Sequence, residues 1–79
     1  MHRVGKALHL SKDGNLVVKA QGETVIGTIT YDVKLRPVGV VSDIIGPTRA
    51  PYILVKTKLE NASKLRGQVL YGQAPGGGR

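Results

Sequence analysis

The acidic side chains of this 79-residue chain are the first place to look for acid–base chemistry. The five carboxylates lie singly, mostly beside predicted turns, at Asp13, Glu23, Asp32, Asp43 and Glu60. General acid–base catalysis needs positioned groups within hydrogen-bond reach of one substrate. Nothing in this spacing pairs two carboxylates, although a fold could bring distant ones together. The sequence therefore predicts no catalytic residue.

Metal and cofactor sites are equally weak in the pattern. The chain has no cysteine, which excludes thiolate ligands, cysteine nucleophiles and disulfides. His2 is almost terminal and His9 lies in a predicted strand, and neither has a nearby carboxylate cluster. The glycine-rich end, Gly72–Gly78, lacks the strand, lysine and helix of a phosphate-binding loop. We expect no metal, no cofactor and no small-molecule ligand. A small enzyme is therefore the least favoured of the functional classes that we consider, because the sequence shows no acid, base, nucleophile or metal set.

Composition limits the size and kind of core. Hydrophobic residues make up 41% of the chain, but Phe and Trp are absent and only three Tyr occur, so the core must be aliphatic. No apolar run approaches the roughly 20 residues that span a bilayer. The first residues also lack the apolar segment of a signal peptide. We expect a cytoplasmic protein that does not bind a membrane.

The charge of the chain predicts a polyanionic neighbourhood. Twelve basic side chains stand against five acidic ones, for a formal charge of +7. Such a balance in a small domain indicates RNA or a ribonucleoprotein. The basic residues are scattered along the chain, without a run or a helical stripe. A diffusely charged surface and a dedicated RNA groove therefore both remain open.

Short strands between turn residues predict an all-β domain. Asp13-Gly14-Asn15 is typical of a hairpin turn, because these residues tolerate a positive φ. A sheet this small has exposed edges unless it closes, which favours a small six-stranded barrel, closed or partly open. The domain is predicted over residues 1–72, with a flexible Gly-rich tail at 73–79. The predicted elements are strands at Val4–Leu10, Leu16–Ala20, Thr28–Tyr31, Val38–Ile45, Tyr52–Val55 and Gln68–Tyr71, and at most one helical turn within Leu59–Lys64.

The segment Pro37–Lys56 predicts a strand pair with apolar residues on both faces. Its connection, Gly46–Pro51, has proline at Pro47 and Pro51 and should be stiff. Alternation with period two assigns one face of the pair to the core. The predicted core residues of the whole chain are Val17, Val38, Val40, Ile44, Ile53, Val55 and Val69.

The opposite face of this hairpin is predicted to bind a partner. Asp43 and Lys56 should make this face wet, yet it also carries Val41, Ile45, Tyr52 and Leu54. A small protein has little spare interior, so an apolar second face indicates a protein–protein interface. The alternative is a hairpin that is buried on both faces.

Several passages resemble one known family. They are Gly5-Lys6-Ala7, Gly14–Val18, Ile26-Gly27-Thr28, Tyr31-Asp32, Val38–Pro47, Pro51-Tyr52 and Gly67–Tyr71. In this order they are similar to the small basic glycine/arginine-rich subunit of H/ACA ribonucleoproteins, in its short archaeal form. The similarity covers roughly residues 3–72. Its most specific passage is Asp43-Ile44-Ile45-Gly46-Pro47 followed by Pro51-Tyr52.

The resemblance implies a six-stranded barrel of the elongation-factor/reductase type and a non-catalytic role in RNA-guided pseudouridylation. Members of that family bind the catalytic domain of the pseudouridine synthase subunit, near the mobile loop that covers the substrate. Guide and substrate RNA are contacted mainly indirectly. The resemblance assigns the interface to Ile45, Gly46, Pro47, Pro51 and Tyr52. It also implies a cytoplasmic location for the archaeal form, whereas the eukaryotic relatives are nucleolar.

A second functional class remains open. A small basic barrel can also bind RNA or the ribosome directly, as ribosome-maturation barrels and OB-folds do. Direct binding to RNA by the isolated protein should fall steeply with salt. The accessory role instead requires the synthase for specific assembly.

Overall fold

A computed structural model describes residues 1–46 and 49–73. All six predicted strands are present, with ends that differ from the prediction by one or two residues. A short 3₁₀ turn, Ala62–Leu65, precedes the last strand and matches the predicted helical turn. The strands are β1 (His2–Leu10), β2 (Asn15–Ala20), β3 (Ile29–Tyr31), β4 (Pro37–Ile45), β5 (Tyr52–Thr57) and β6 (Val69–Gln73).

The strands close into an all-antiparallel barrel in the order β1-β2-β5-β4-β3-β6. β3, β4 and β5 follow one another as hairpins, and β2 lies beside β5, which is a Greek-key arrangement. The predicted closed six-stranded β-barrel is confirmed. Closure pairs every strand on both sides and so removes the exposed edges of so small a sheet.

The barrel interior is filled by aliphatic side chains, as the composition requires. Two threonines also point inside, and each satisfies its hydroxyl with a backbone carbonyl. Thr28 donates to Val25 O at 2.7 Å, and Thr30 donates to Gly39 O at 2.9 Å. The buried apolar residues are Val4, Ala7, Leu16, Val18, Val38, Val41, Ile53, Val55, Ala62, Leu65 and Leu70.

The predicted core is partly correct. Val38, Ile53 and Val55 are buried, and Ile44 packs partly buried against the core. Val17 and Val69 are half-buried, because the inward positions of β2 and β6 belong to their neighbours along the strand. The inward residues that the prediction missed there are Leu16, Val18 and Leu70.

The prediction that Val40 lies in the core is wrong, and two irregularities in β4 explain why. Gly39 pairs with Thr30 while Pro37 pairs with Tyr31, so Val38 is an extra residue on that side. Val41 pairs with Val55 and Asp43 pairs with Leu54, so Ser42 has no partner on β5. Each bulge shifts the inside–outside alternation by one residue. Val38 and Val41 therefore both point inward, while Val40 is 43% exposed.

Glycine allows close approach of strands inside the barrel wall. A Cβ added at Gly39 would collide with the backbone carbonyl oxygen of Lys56 on β5. Gly5 stands in the same relation to the carbonyl of Lys19 on β2. A backbone atom cannot move aside as a flexible side chain can, so both positions require glycine.

The turn from β3 to β4 is held by one carboxylate. Asp32 Oδ1 accepts hydrogen bonds from the backbone N–H groups of Lys34 and Arg36, both at 2.9 Å. Its Oδ2 accepts from Arg36 Nε at 3.0 Å. The backbone N–H of Arg36, followed by its side chain, lowers the pKa of Asp32, although burial opposes this. Asp32 is thus a structural residue that stabilises the turn.

The segment before β6 packs on the barrel through Ala62 and Leu65, which are buried. Asn61 stands at the start of the 3₁₀ turn, and its side chain makes no capping hydrogen bond. Strand β6 extends to Gln73, one residue past the predicted domain end, and 74–79 lie outside the described residues. Over the described ranges, the chain forms no helix of the length and apolarity needed to cross a membrane.

Candidate interaction surfaces

The β4–β5 hairpin presents an apolar pair at its end. Ile45 on β4 stands directly opposite Tyr52 on β5. Both side chains point away from the barrel, and they are 46% and 37% exposed. The same strands bury Val41, Ile53 and Val55 on their inner face. The hairpin therefore has one core face and one outer face with exposed apolar side chains, so the alternative of a hairpin buried on both faces is wrong, while binding of a partner to the outer face stays a prediction.

The connection beyond this pair is fixed at both ends. Gly46 has a φ of +96°, a left-handed conformation that strongly favours glycine. At the other end, the carbonyl of half-buried Pro51 accepts a hydrogen bond from the backbone N–H of Ala20 at 3.0 Å, which ties the loop to β2. Pro47, predicted as a contact residue, lies outside the described residues.

Two other predicted contact residues have different positions. Val41 is 1% exposed and belongs to the core, so its assignment to the partner-binding face is wrong. The cause is the two bulges in β4, because the extra residue Val38 turns Val41 inward and the bulge at Ser42 then restores the outward position of Ile45. Leu54 is half-buried on the outer face, opposite Asp43. We name the remaining described set, Ile45, Gly46, Pro51, Tyr52 and Leu54, the hairpin patch.

A groove of about 620 Å³ adjoins the hairpin patch. Arg49 and Pro51 line it from the hairpin side, and Glu23 and Thr24 line it from the β2–β3 connection. The groove therefore has a positively charged side chain, Arg49, and a negatively charged one, Glu23, close to the apolar pair Ile45 and Tyr52.

A second apolar surface of the barrel was not predicted from the sequence. Ile29 on β3 pairs directly with Val40 on β4, and both point outward with about two fifths of each side chain exposed. Val25 and Ile26, in the connection before β3, are more than half exposed. The bulges hide this surface from the sequence, because period-two alternation had assigned Val40 to the core.

The fold also gathers basic residues that are scattered in the sequence. Lys6 on β1 and Lys19 on β2 are directly paired, and both are exposed. Lys19 in turn pairs with Tyr52 on β5. One outward row therefore crosses the barrel wall in the order Ile45, Tyr52, Lys19, Lys6 and Val69.

A second outward row lies beside the first and contains the other two tyrosines. Tyr71 on β6 pairs with Arg3 on β1 and with Tyr31 on β3. Both tyrosines are half-buried on the outside of the barrel, and Arg3 is exposed. Only strand register could show that Tyr31 and Tyr71 are neighbours.

The groups considered for catalysis remain apart. Asp32 is occupied by the β3–β4 turn, while Asp43 and His9 are exposed on the outer wall. Among the residues that the structure describes, no three His, Cys, Asp or Glu side chains lie close enough to share a metal ion. That the protein is not an enzyme stays a prediction.

Sequence comparison places the chain beside an archaeal protein. An uncharacterized protein of Methanothermobacter thermautotrophicus is 30% identical over 70 residues, which span 87% of this chain and 76% of that protein. The two proteins belong to one family. No established family model matches the chain. The relationship extends over most of the barrel, but the relative's name assigns no activity.

Proposed function

We propose that this protein is a non-catalytic accessory subunit of an H/ACA RNA-guided pseudouridylation ribonucleoprotein. It docks on the catalytic domain of the pseudouridine synthase subunit and serves rRNA modification and ribosome biogenesis. The proposal starts from the resemblance of residues 3–72 to the small glycine/arginine-rich subunit of these particles. Membership in a family with an archaeal protein agrees with the short archaeal form.

The observation that carries the proposal is the exposed Ile45–Tyr52 pair. The passage most similar to that subunit, Asp43–Pro47 with Pro51-Tyr52, contains the pair, which the barrel turns towards solvent. An aromatic anchor beside an aliphatic residue is a usual centre of binding energy. The Pro51 carbonyl ties the start of β5 to β2, so Tyr52 is positioned before docking and loses little entropy on binding.

The proposed mechanism follows from a binding surface without catalytic groups. Such a protein changes the rate of an enzyme only by binding one conformation of that enzyme better than another. Movement of a loop and release of product limit turnover in many enzymes. We infer that the hairpin patch holds the synthase loop where substrate RNA can load and product RNA can leave.

The test compares single-turnover with multiple-turnover pseudouridylation by synthase, guide RNA and the other subunits. Adding this protein should raise the multiple-turnover rate more than the single-turnover rate. The Ile45→Asp variant should lose this gain, because a carboxylate replaces the apolar contact. Val40→Asp is the matched control, since Val40 lies on the same strand with similar exposure but in another row.

Three results would count against the proposal. Equal stimulation of both rates would indicate help with assembly or with the chemical step. Stimulation that survives Ile45→Asp would place docking elsewhere. Loss in Val40→Asp but not in Ile45→Asp would move the interface to the Ile29–Val40 surface.

A further inference from the structure

We propose that the outer wall formed by β1, β2, β6 and β3 binds single-stranded nucleic acid directly. The residues that form this site are Arg3, Lys6, Lys19, Tyr31 and Tyr71, which we name the basic-aromatic face. The inference does not depend on docking to a synthase, because it uses residues outside the hairpin patch.

Three cations, unpaired among the described residues, lie close together on the outer surface of β1 and β2. Lys6 and Lys19 face each other across β1 and β2, although like charges directly opposite destabilise a sheet. Arg3 is the outward-facing residue next to Lys6 on β1, because Val4 and Gly5 between them are both buried. None of the three forms an ion pair with another described residue. A phosphate backbone that crosses these strands would relieve the repulsion and neutralise all three cations.

Two tyrosines, Tyr31 and Tyr71, lie side by side next to these cations. Tyr31 and Tyr71 are direct cross-strand neighbours, and such pairs hold their Cβ atoms about 5 Å apart. Both lie outside the barrel and remain partly exposed. Arg3 flanks Tyr71 on the other side. Proteins that bind single strands combine a basic track for the backbone with aromatic rings on which bases stack.

Acidic side chains lie away from the basic-aromatic face. The two rows that contain the basic-aromatic face carry no carboxylate. Asp43 lies in the neighbouring row, opposite Leu54, and Asp32 is neutralised by Arg36. A single strand that crosses the barrel wall along these two rows therefore meets cations and rings, and meets no carboxylate within the rows themselves. A duplex hides its base faces and could use only the cations.

The decisive experiment measures fluorescence anisotropy of a labelled single-stranded RNA of about 12 nucleotides, the length one small barrel can cover. DNA of the same length and sequence and the RNA duplex serve as further probes. The charge variant is Lys6→Glu with Lys19→Glu, and its control is Lys12→Glu with Lys58→Glu. Both change the net charge equally, and the control lysines are exposed outside the strands.

We expect binding of RNA and DNA single strands, with weaker binding of the duplex. The charge variant should lose affinity by about tenfold or more at about 50 mM salt, and the control should lose much less. The slope of log affinity against log salt should shrink by about 1.4 in the charge variant, for two lost phosphate contacts. An equal loss of RNA affinity in the charge variant and in its control would show that the net charge attracts RNA diffusely, and it would contradict a specific site on this face.

The rings are tested separately. The double variant Tyr31→Leu, Tyr71→Leu keeps apolar surface but removes stacking, and Tyr31→Phe, Tyr71→Phe keeps the rings. Affinity should fall about tenfold in the first and stay unchanged in the second. Unchanged RNA affinity in a folded leucine variant would show that the rings do not stack on bases. If the leucine variant does not fold, the Lys6→Glu, Lys19→Glu variant and its control decide whether the site exists. Ile45→Ser, which removes the apolar contact without placing a carboxylate in the first row, should bind RNA normally, so failure here and failure of the proposed docking remain distinguishable.

Discussion

Val41 and Ile45 lie four residues apart on β4 and point to opposite sides of the barrel. Val41 is 1% exposed, whereas Ile45 is 46% exposed. In a regular strand residues i and i+4 share a face. The unpaired Ser42 between Val41 and Asp43 breaks the alternation, and its hydroxyl donates to Leu54 O at 3.2 Å. One strand thereby supplies both the core and the proposed interface.

This relationship predicts that alanine variants of the adjacent Val40 and Val41 lose very different amounts of stability. Val41→Ala should lower the free energy of unfolding by about 2 kcal/mol, because it removes buried methyl groups and leaves a cavity. Val40→Ala should cost about 0.5 kcal/mol or less, since the side chain is partly in solvent. Urea unfolding of both variants measures the difference. A larger loss in Val40→Ala would reverse the two faces.

Tyr52 should be an anchor of the proposed docking. Tyr52→Ala should weaken binding to the synthase by about 2 kcal/mol or more, because the ring is lost from the centre of the patch. The thermal transition should move little in comparison. Calorimetric titration of synthase with each variant provides the measurement, and Val40→Ala again serves as the control. An unaffected affinity would remove Tyr52 from the interface.

The carboxylate of Asp32 should make stability depend on acid pH. Its pKa is lowered in the folded state by the backbone N–H of Arg36, then by its side chain. The stabilisation is therefore present above the unfolded pKa of about 4 and is lost as pH falls through the lower native pKa. Asp32→Asn should be less stable than wild type at pH 7, and the gap should narrow below about pH 4. A gap independent of pH would show that the charge is not involved.

Gly39 should be among the least replaceable residues. Gly39→Ala should cost about 3 kcal/mol, because the new Cβ meets the carbonyl of Lys56 and neither strand can move freely. Gly14→Ala is the comparison, since Gly14 has open space around it but a φ of +84°. That strain alone should cost about 1 kcal/mol. Thermal unfolding compares the two, and equal losses would show that β4 and β5 can separate.

Membership in the all-β class and the positions of the strands follow from local sequence. Asp13-Gly14 and other turn residues separate short β-branched runs, and the absence of Phe and Trp forces an aliphatic core. Closure was predictable in outline, because a sheet of six short strands has edges to protect. The exposed Ile45–Tyr52 pair was also predictable, since the two residues directly flank the Gly46–Pro51 connection and the alternation assigned both to the outer face of the hairpin.

Only the tertiary structure decided which residues share a surface. A bulge depends on pairing with another strand, so the inward turn of Val41 and the outward turn of Val40 left no local signal. The neighbours Lys6 and Lys19 are separated by a turn, and Tyr31 and Tyr71 by almost half of the chain. Such contacts arise from register between distant strands, which hydrophobic periodicity within one strand does not encode.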